Sequence, residues 1–361
     1  MRSTNRRAPT ASALLAACLA ACVAFALGAP VRATATERLR LVVTHTAPPL
    51  VPNSVMDLAG TLGFYRREGL AVDLVRVQGT PLAIVALKTG NADLANISLG
   101  GALQLAAQRV MKVKAVISPD KAIRYLIASH GDVPSIRALQ GLTLGIGSVG
   151  SLDHTMTRLV LASHGVDVEK VKIVAFGEPH VRALALSTRR IDATTMSVGT
   201  WSRFRDRPGL KVLLSDEDYF NAAPVLNKVI VAEQDVLAAR RPAVERFVAA
   251  LVKASRAFAA DPDAWVEAMR VARPDVPRAE LQELARSFTR DWSVNGGLDP
   301  AQVAYSIGQL YRQPEFRELR RVGADELLDL GPLGTVLSRI GRSAIAYGAT
   351  PKVHSLPLKD P

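Results

Sequence analysis

Residues 87–98 read Leu-Lys-Thr-Gly-Asn-Ala-Asp-Leu-Ala-Asn-Ile-Ser, and residues 186–197 read Leu-Ser-Thr-Arg-Arg-Ile-Asp-Ala-Thr-Thr-Met-Ser. Leu87, Thr89, Asp93 and Ser98 recur as Leu186, Thr188, Asp192 and Ser197, all at an offset of 99 residues. The surroundings repeat as well. A β-like alternation over 71–77 precedes a helix from Thr80-Pro81 to Gly90 and a strand over 94–99. In the second copy a strand over 171–176 precedes a helix over 179–188 and a strand over 191–196. Proline in the first turn of a helix costs nothing, because its missing N–H would have had no partner there. Strands alternating with helices predict a mainly parallel sheet covered by helices. The repeat predicts two such lobes.

Working outward, a strand over 39–44 and a helix over 54–68, closed by Gly69, open the first lobe. Helix 101–110 and strand 113–118 complete its series. The second series starts after 125–129, with a strand over 142–146 and a helix over 151–164. A return strand covers 229–231, and beyond Gln234 the pattern is helical: 242–260, 263–271, 278–289 and 300–311.

Residues 1–35 read as a secretory signal: Arg2, Arg6 and Arg7, then an uncharged run over 11–28, then Ala33-Thr34-Ala35 as a cleavage site. A membrane anchor is the alternative for so apolar a run. Leu15-Ala16-Ala17-Cys18 and Leu19-Ala20-Ala21-Cys22 also resemble lipid-attachment boxes, although the apolar run continues past both cysteines. The expected location is the periplasm, as a soluble protein or tethered through Cys18 or Cys22. Cleavage would remove both cysteines of the 361-residue chain, which excludes thiol catalysis and a cysteine zinc site. The net charge of +12 is scattered in pairs such as Arg66-Arg67 and Arg189-Arg190, with no interleaved aromatics, so nucleic acid is not the expected partner. No G-x-S-x-G, H-E-x-x-H or paired metal-ligand spacing occurs. The expectation is a non-enzyme without cofactor or metal.

In open parallel sheets, ligands bind beyond the carboxyl ends of the strands. Ser98 and Ser197 fall at such ends, one per lobe, and Asn96 shares a strand face with Ser98. Gly147-Ser148-Val149-Gly150-Ser151 joins a strand to a helix, where backbone N–H groups and the helix dipole favour an anion. The plainer reading is a turn with Ser151 as helix cap. Gln78-Gly79-Thr80 offers amide and hydroxyl groups, or simply a capped turn. His45 follows the first strand and could pair with an anionic group or sit on the surface. His154 lies one helical turn beyond Ser151 on the same face, Arg182 could supply a charge or be solvated, and Trp201 could form an aromatic wall or sit in the core of lobe two. The acidic run Asp216-Glu217-Asp218 reads as a solvated loop.

At this point the chain resembles a family, the extracytoplasmic solute-binding proteins of ABC importers of the nitrate/sulfonate/taurine type. The resemblance is carried by Ala59-x-x-x-Gly63-Phe64-Tyr65-x-x-Glu68-Gly69-Leu70-x-Val72 and Leu87-x-x-Gly90-x-x-Asp93. Further on it is carried by Leu139-x-Gly141-x-x-Leu144-Gly145-Ile146-Gly147, Asp192-Ala193, and Val229 to Ala232 with Arg241-Pro242-x-Val244-x-x-Phe247. It implies a type II periplasmic-binding fold, α/β in each lobe, with 36–126 and 228–361 as lobe one, 127–227 as lobe two, hinge strands at 125–129 and 227–231, and the C-terminal helices packed on lobe one. It also implies capture of a small, anionic or oxyanion solute for a membrane permease and its ATPase, by a monomer. Members often carry Trp-x-Pro after the second Asp-Ala strand. Here Met196-Ser197-Val198-Gly199-Thr200-Trp201 stands instead, so the family's ligand types do not transfer directly. The expected ligand-binding set is His45, Gln78, Gly79, Thr80, Asn96, Ser98, Gly147, Ser148, Gly150, Ser151, Met196 and Ser197. A pyrimidine-precursor, thiamine-related binding protein or enzyme on the same fold is the alternative, as is a sensory domain. The enzymes of that group use a cysteine-rich motif, which residues 36–361 lack.

Overall fold

The computed structural model describes residues 36–344, except 122, 123 and 289. The expected signal and the lipid-attachment cysteines therefore lie outside the described residues. No helix among the described residues is long and apolar enough to cross a membrane.

Among the described residues, ten strands form two five-stranded sheets. In chain order they are β1 (Glu37–Val43), β2 (Leu70–Arg76), β3 (Leu94–Ser98), β4 (Val113–Ile117), β5 (Tyr125–His130), β6 (Thr143–Ile146), β7 (Lys172–Ala175), β8 (Ala193–Ser197), β9 (Leu210–Leu214) and β10 (Lys228–Glu233). The first sheet has the order β2-β1-β3-β10-β4 and the second β7-β6-β8-β5-β9. In each, three strands run parallel and the fourth is antiparallel to both neighbours, so four of five strands share a direction. That reversed strand comes from beyond a chain crossing: β10 enters the first sheet after the second is built, and β5 enters the second after the first. Each expected hinge strand lies within a single sheet. The crossings are the segments before them, between Ile117 and Tyr125 and between Leu214 and Lys228.

The helices are α1 (Val55–Thr61), α2 (Phe64–Arg67), α3 (Gly79–Lys88), α4 (Leu99–Ala107), α5 (Leu152–Ser163), α6 (Pro179–Ser187), α7 (Val198–Trp201), α8 (Asp216–Ala222), α9 (Gln234–Ala260), α10 (Pro262–Ala272), α11 (Arg278–Ser287), α12 (Pro300–Leu310), α13 (Pro314–Arg317), α14 (Ala324–Leu327) and α15 (Gly331–Ile340). The single helix expected over 54–68 is broken at Gly63, whose φ of 72° is left-handed. The helix expected from Pro242 begins at Gln234 and kinks at Arg240, whose φ is −128°. Pro242 has no N–H to return to the carbonyl of residue 238, and its ring would clash there, so the helix cannot run through this turn unbroken. Strand β9, α8 and α15 were not anticipated. The acidic run at 216–218 is the first turn of α8, where negative charge suits the helix dipole, and Ser215 caps it through Asp218 N at 3.1 Å.

The first sheet shares its core with the C-terminal helices, around Phe247, Phe258, Trp265, Phe288 and Trp292. The second sheet has one core on each face, Ile127 belonging to one and Leu126 with Ala128 to the other, as strand alternation requires.

The repeat proves to be architectural. Leu87 and Leu186 are buried. Thr89 and Thr188 return their hydroxyls to Val85 and Leu184 carbonyls, each at 2.9 Å. Asp93 and Asp192 accept the backbone N–H of Arg40 at 2.7 Å and Thr143 at 2.8 Å, fixing neighbouring strands. Ser98 and Ser197 cap the next helix through Gly101 N at 3.0 Å and Thr200 N at 3.2 Å.

Candidate functional site

A cleft of about 140 Å³ opens where the strand ends of both lobes meet. Lobe one contributes the end of β1 (Thr44, His45), the β2–α3 turn (Gln78, Gly79, Thr80), Asn53, and Lys228 at the start of β10. Lobe two contributes Tyr125, the β6–α5 turn (Gly147, Ser148, Ser151), Asp153, the β7–α6 turn (Gly177, Glu178), Arg182 and Ser197. The lobes touch around it. Thr46 donates its hydroxyl to Glu178 at 3.3 Å. A Cβ on Gly177 would lie 2.6 Å from Gln78 Nε2, and one on Gly199 would lie 2.4 Å from the Leu50 carbonyl oxygen. At Gly199, where the neighbour is backbone, glycine is what permits the approach; at Gly177 the Gln78 amide could move aside, and the left-handed φ of 79° is the stronger reason for glycine.

Eight of the twelve expected residues line the cleft: His45, Gln78, Gly79, Thr80, Gly147, Ser148, Ser151 and Ser197. Four are elsewhere. Asn96 is fully buried within β3, opposite Ile230, and neither polar atom of its amide has a partner. Ser98 is 1% exposed and spent on its helix cap. Met196 belongs to a lobe-two core with Leu126 and Ile191. Gly150 lies on an outer groove with Pro81 and Val149.

Four of the five N–H groups of the 147–151 turn, all but that of Val149, are already engaged by the turn itself or by α5, against the free backbone donors expected of an anion site. Asp153, from the first turn of α5, folds back and accepts Gly147 N–H at 2.7 Å and the Ser151 hydroxyl at 2.5 Å. Ser148 N–H goes to Ser151 Oγ at 3.3 Å, and Gly150 N–H to His154 Nδ1 at 3.1 Å. Ser151 makes no side-chain cap bond to α5, against the plainer reading as well. Arg182, 3% exposed, completes this unit: it pairs with Asp153 at 3.3 Å and donates to Gly177 and Thr195 carbonyls. Its charge is thereby balanced inside lobe two. Thr80 accepts Ser98 N–H at 3.1 Å, so its oxygen is also in structural use.

His45 is buried with Nε2 at 2.9 Å from Asp57, which in turn takes Arg76 at 2.6 Å. Burial pushes His45 below its ordinary value, and the Lys228 and Arg76 charges add to this against the pull of Asp57. Burial alone would raise Asp57, but the bonds from His45 and Arg76 outweigh it and hold it low. His45 is therefore a neutral imidazole donating to a carboxylate, not a cation.

Lys228 is the cation that the sequence reading missed. It is 8% exposed, lines the cleft, and donates from Nζ to Thr44 Oγ1. Among the described residues it has no ion-pair partner. Burial pushes its pKa down, opposed by the more distant charges of Asp120, Asp153 and Glu178. A desolvated ammonium held by one hydroxyl is an expensive arrangement unless a negative group completes it. Its position was readable only through topology: antiparallel pairing sets Lys228 opposite Ser98, at the end of β3.

Two lobes of like topology, two crossings and a cleft at the strand ends define the type II periplasmic-binding fold of solute-binding proteins. The chain belongs to the NMT1/THI5-like family, whose profile matches residues 55–265. No curated protein sequence matches it. Among solved structures it is similar to a protein from Bordetella bronchiseptica RB50, at 16% identity over 84% of this chain and 98% of that one, with a TM-score of 0.73. It is similar to the ligand-binding component of an ABC-type import system from Staphylococcus aureus, solved with zinc bound, at 15% identity over 83% and 99%, with a TM-score of 0.66. It is also similar to the periplasmic aliphatic sulphonate binding protein SsuA from Escherichia coli, at 16% identity over 81% and 92%, with a TM-score of 0.62. At these identities the likeness is one of fold. No group of acidic, histidine or cysteine residues suited to a metal ion occurs among the described residues.

Proposed function

We propose that this protein is the extracytoplasmic solute-binding component of an ABC importer, capturing a small anionic or strongly accepting solute between its lobes and delivering it to a permease with its ATPase. Export through residues 1–35 to the periplasm belongs to the same reading. The observation that carries it is Lys228: a buried ammonium in an interlobe cleft, with a hydroxyl and no carboxylate as its partner. The cleft volume of about 140 Å³ is well below the roughly 300–1,000 Å³ of sites for drug-sized ligands, which favours a solute of few heavy atoms such as a short sulfonate or carboxylate. Anion recognition thus rests on Lys228 and the free hydroxyl of Ser148, and not on the N–H groups of the 147–151 turn.

Native mass spectrometry of the purified protein would give the mass of any co-purifying solute. Calorimetry with taurine, ethanesulfonate, acetate and nitrate would rank the anions. Loss of a charge-assisted bond costs about 1.5–3 kcal/mol, so Lys228→Met should weaken binding by about one to two decades. Unchanged affinity in that variant, or a polyamine as the native ligand, would overturn the reading. The family match favours a second reading, a pyrimidine-precursor binding protein or enzyme, for which an aminopyrimidine phosphate is the probe. Turnover of that probe, rather than its binding alone, would identify an enzyme.

A further inference from the structure

Lys228 and Asp120 stand on the two chain crossings. Asp120 lies between β4 and β5, and Lys228 is the first residue after the return. The crossings are joined directly, since Ser118 Oγ donates to the Lys228 carbonyl at 2.7 Å. Asp120 is 1% exposed, and neither carboxylate oxygen has a hydrogen-bond partner among the described residues. A buried carboxylate without any bond is rare in a native fold and calls for a reason.

The charges around it identify one. Lys228 faces Asp120 from β10, at a distance too long for an ion pair but close enough to act on it. Asp291, beyond α11, faces it with like charge. Asp291 is itself bound by Arg124 at 3.0 Å, and the same guanidinium takes Asp216 of α8 at 3.0 Å. Lys121, next in the chain, feels Asp291, and Tyr125 at the start of β5 feels Asp120. Lys228 also feels Asp153 and Glu178 from lobe two and acts on His45 from lobe one, all of which line the cleft with it. The ammonium lines the solute space, whereas the unpaired Asp120 carboxylate that acts on it does not.

We propose that Asp120 is a positioning residue acting through Lys228: it is the counter-charge of the ammonium while the cleft is empty, and it takes up a proton from solvent when an anionic solute claims that ammonium. This rests on the anionic-solute reading above. Two contributions set the direction. Burial raises Asp120, the Lys228 charge opposes this and Asp291 adds to it, leaving it at about 7. A solute anion that neutralises Lys228 removes that pull, so Asp120 rises further and is protonated around neutral pH. Solute capture at one crossing then changes the charge at the other, where the lobes hinge.

The coupling can be read first without ligand, by carboxyl-carbon NMR of the purified protein. One aspartate signal should titrate near pH 7, disappear in Asp120→Asn, and move to higher pH in Lys228→Met. If Asp120→Asn does not fold, backbone assignment of the Asp120 signal in the parent and its response to Lys228→Met decide the matter. No aspartate titrating above about pH 5.5, or one indifferent to Lys228→Met, overturns the proposal. Calorimetry with ethanesulfonate, in two buffers of different ionisation heat, should then show uptake of up to one proton per solute between pH 6 and 8. Affinity should fall as pH rises through this window, by at most about tenfold per unit, and the dependence should be absent in Asp120→Asn. Binding without proton uptake in the parent overturns the proposal. Failure of every anion to bind, with the ligand-free titration as expected, overturns the anionic reading and leaves the Asp120–Lys228 pair standing.

Discussion

Asp93 and Asp192 were legible as a repeat and illegible as to purpose. The same four residue types at one spacing could serve two binding loops or two strand junctions, and only the partners decide. Asp93 answers with four bonds, to Arg40 N, Nε and Nη2 and to Arg240. Burial would raise it, but the Arg40 bonds and the Arg240 charge outweigh that and hold it below the usual carboxylate range. A depressed folded-state pKa contributes stability that is complete at neutral pH and is lost as pH falls through that folded value. Asp93→Asn should therefore cost about 1.5–3 kcal/mol at pH 7 in urea unfolding, and the cost should shrink below about pH 4. A pH-independent difference would mean that packing, not charge, is what Asp93 supplies. Lys228 and Asp153 show the opposite limit of the sequence: each is an ordinary charged residue in its own segment, and only the folded chain turns one toward the cleft and the other back onto Gly147.

At the scale of elements, most strands and helices were legible, because hydrophobic alternation and glycine or proline punctuation mark them. Strand β9 was not. Its flanks, Arg203 to Pro208 and Asp216 to Asp218, are so polar that the run Leu210 to Leu214 stood alone without a partner in the sequence. Those polar flanks have their own partners across the lobes. After α7, Ser202 donates to Glu280 at 2.7 Å, Arg203 to Asp275 at 3.0 Å, and Arg205 makes two bonds to Glu283 at 2.7 and 3.1 Å. All three acceptors lie in or just before α11, on lobe one's side. These pairs are partly exposed, so each contributes no more than about 1 kcal/mol. Acting together, they favour the approached lobes. Arg203→Glu with Arg205→Glu should raise the radius of gyration in scattering and weaken solute binding by about three- to tenfold. Adding Asp275→Arg and Glu283→Arg should restore both. A compact double variant with parental affinity would show that the contacts follow the approach without favouring it.

For the molecule as a whole, the two-lobe architecture was legible because duplication writes itself twice, whereas the crossings were displaced by several residues from the strands expected to form them. Strand ladders, which are the long-range part of the fold, leave no local mark on composition. One of them has a consequence for how the chain is made. Strand β10 lies between β3 and β4, pairing antiparallel with both, and β3 and β4 have no ladder with each other. Residues 37–117 can bring β1, β2 and β3 together, but β4 has no place to dock until residue 228 has emerged. Contacts of such long sequence separation form slowly, because the loop must close before it is rewarded. Lobe two, whose five strands are continuous from 125 to 214, has no such wait. A chain lengthening from its amino end would thus complete its second lobe before its first. In pulsed hydrogen exchange, amides of β5 to β9 should gain protection before those of β4 and β10, and a chain stopped at Leu226 should protect the second sheet while leaving β4 open. The leading half of the chain would thus stay pliable until the return strand arrives to close its first sheet.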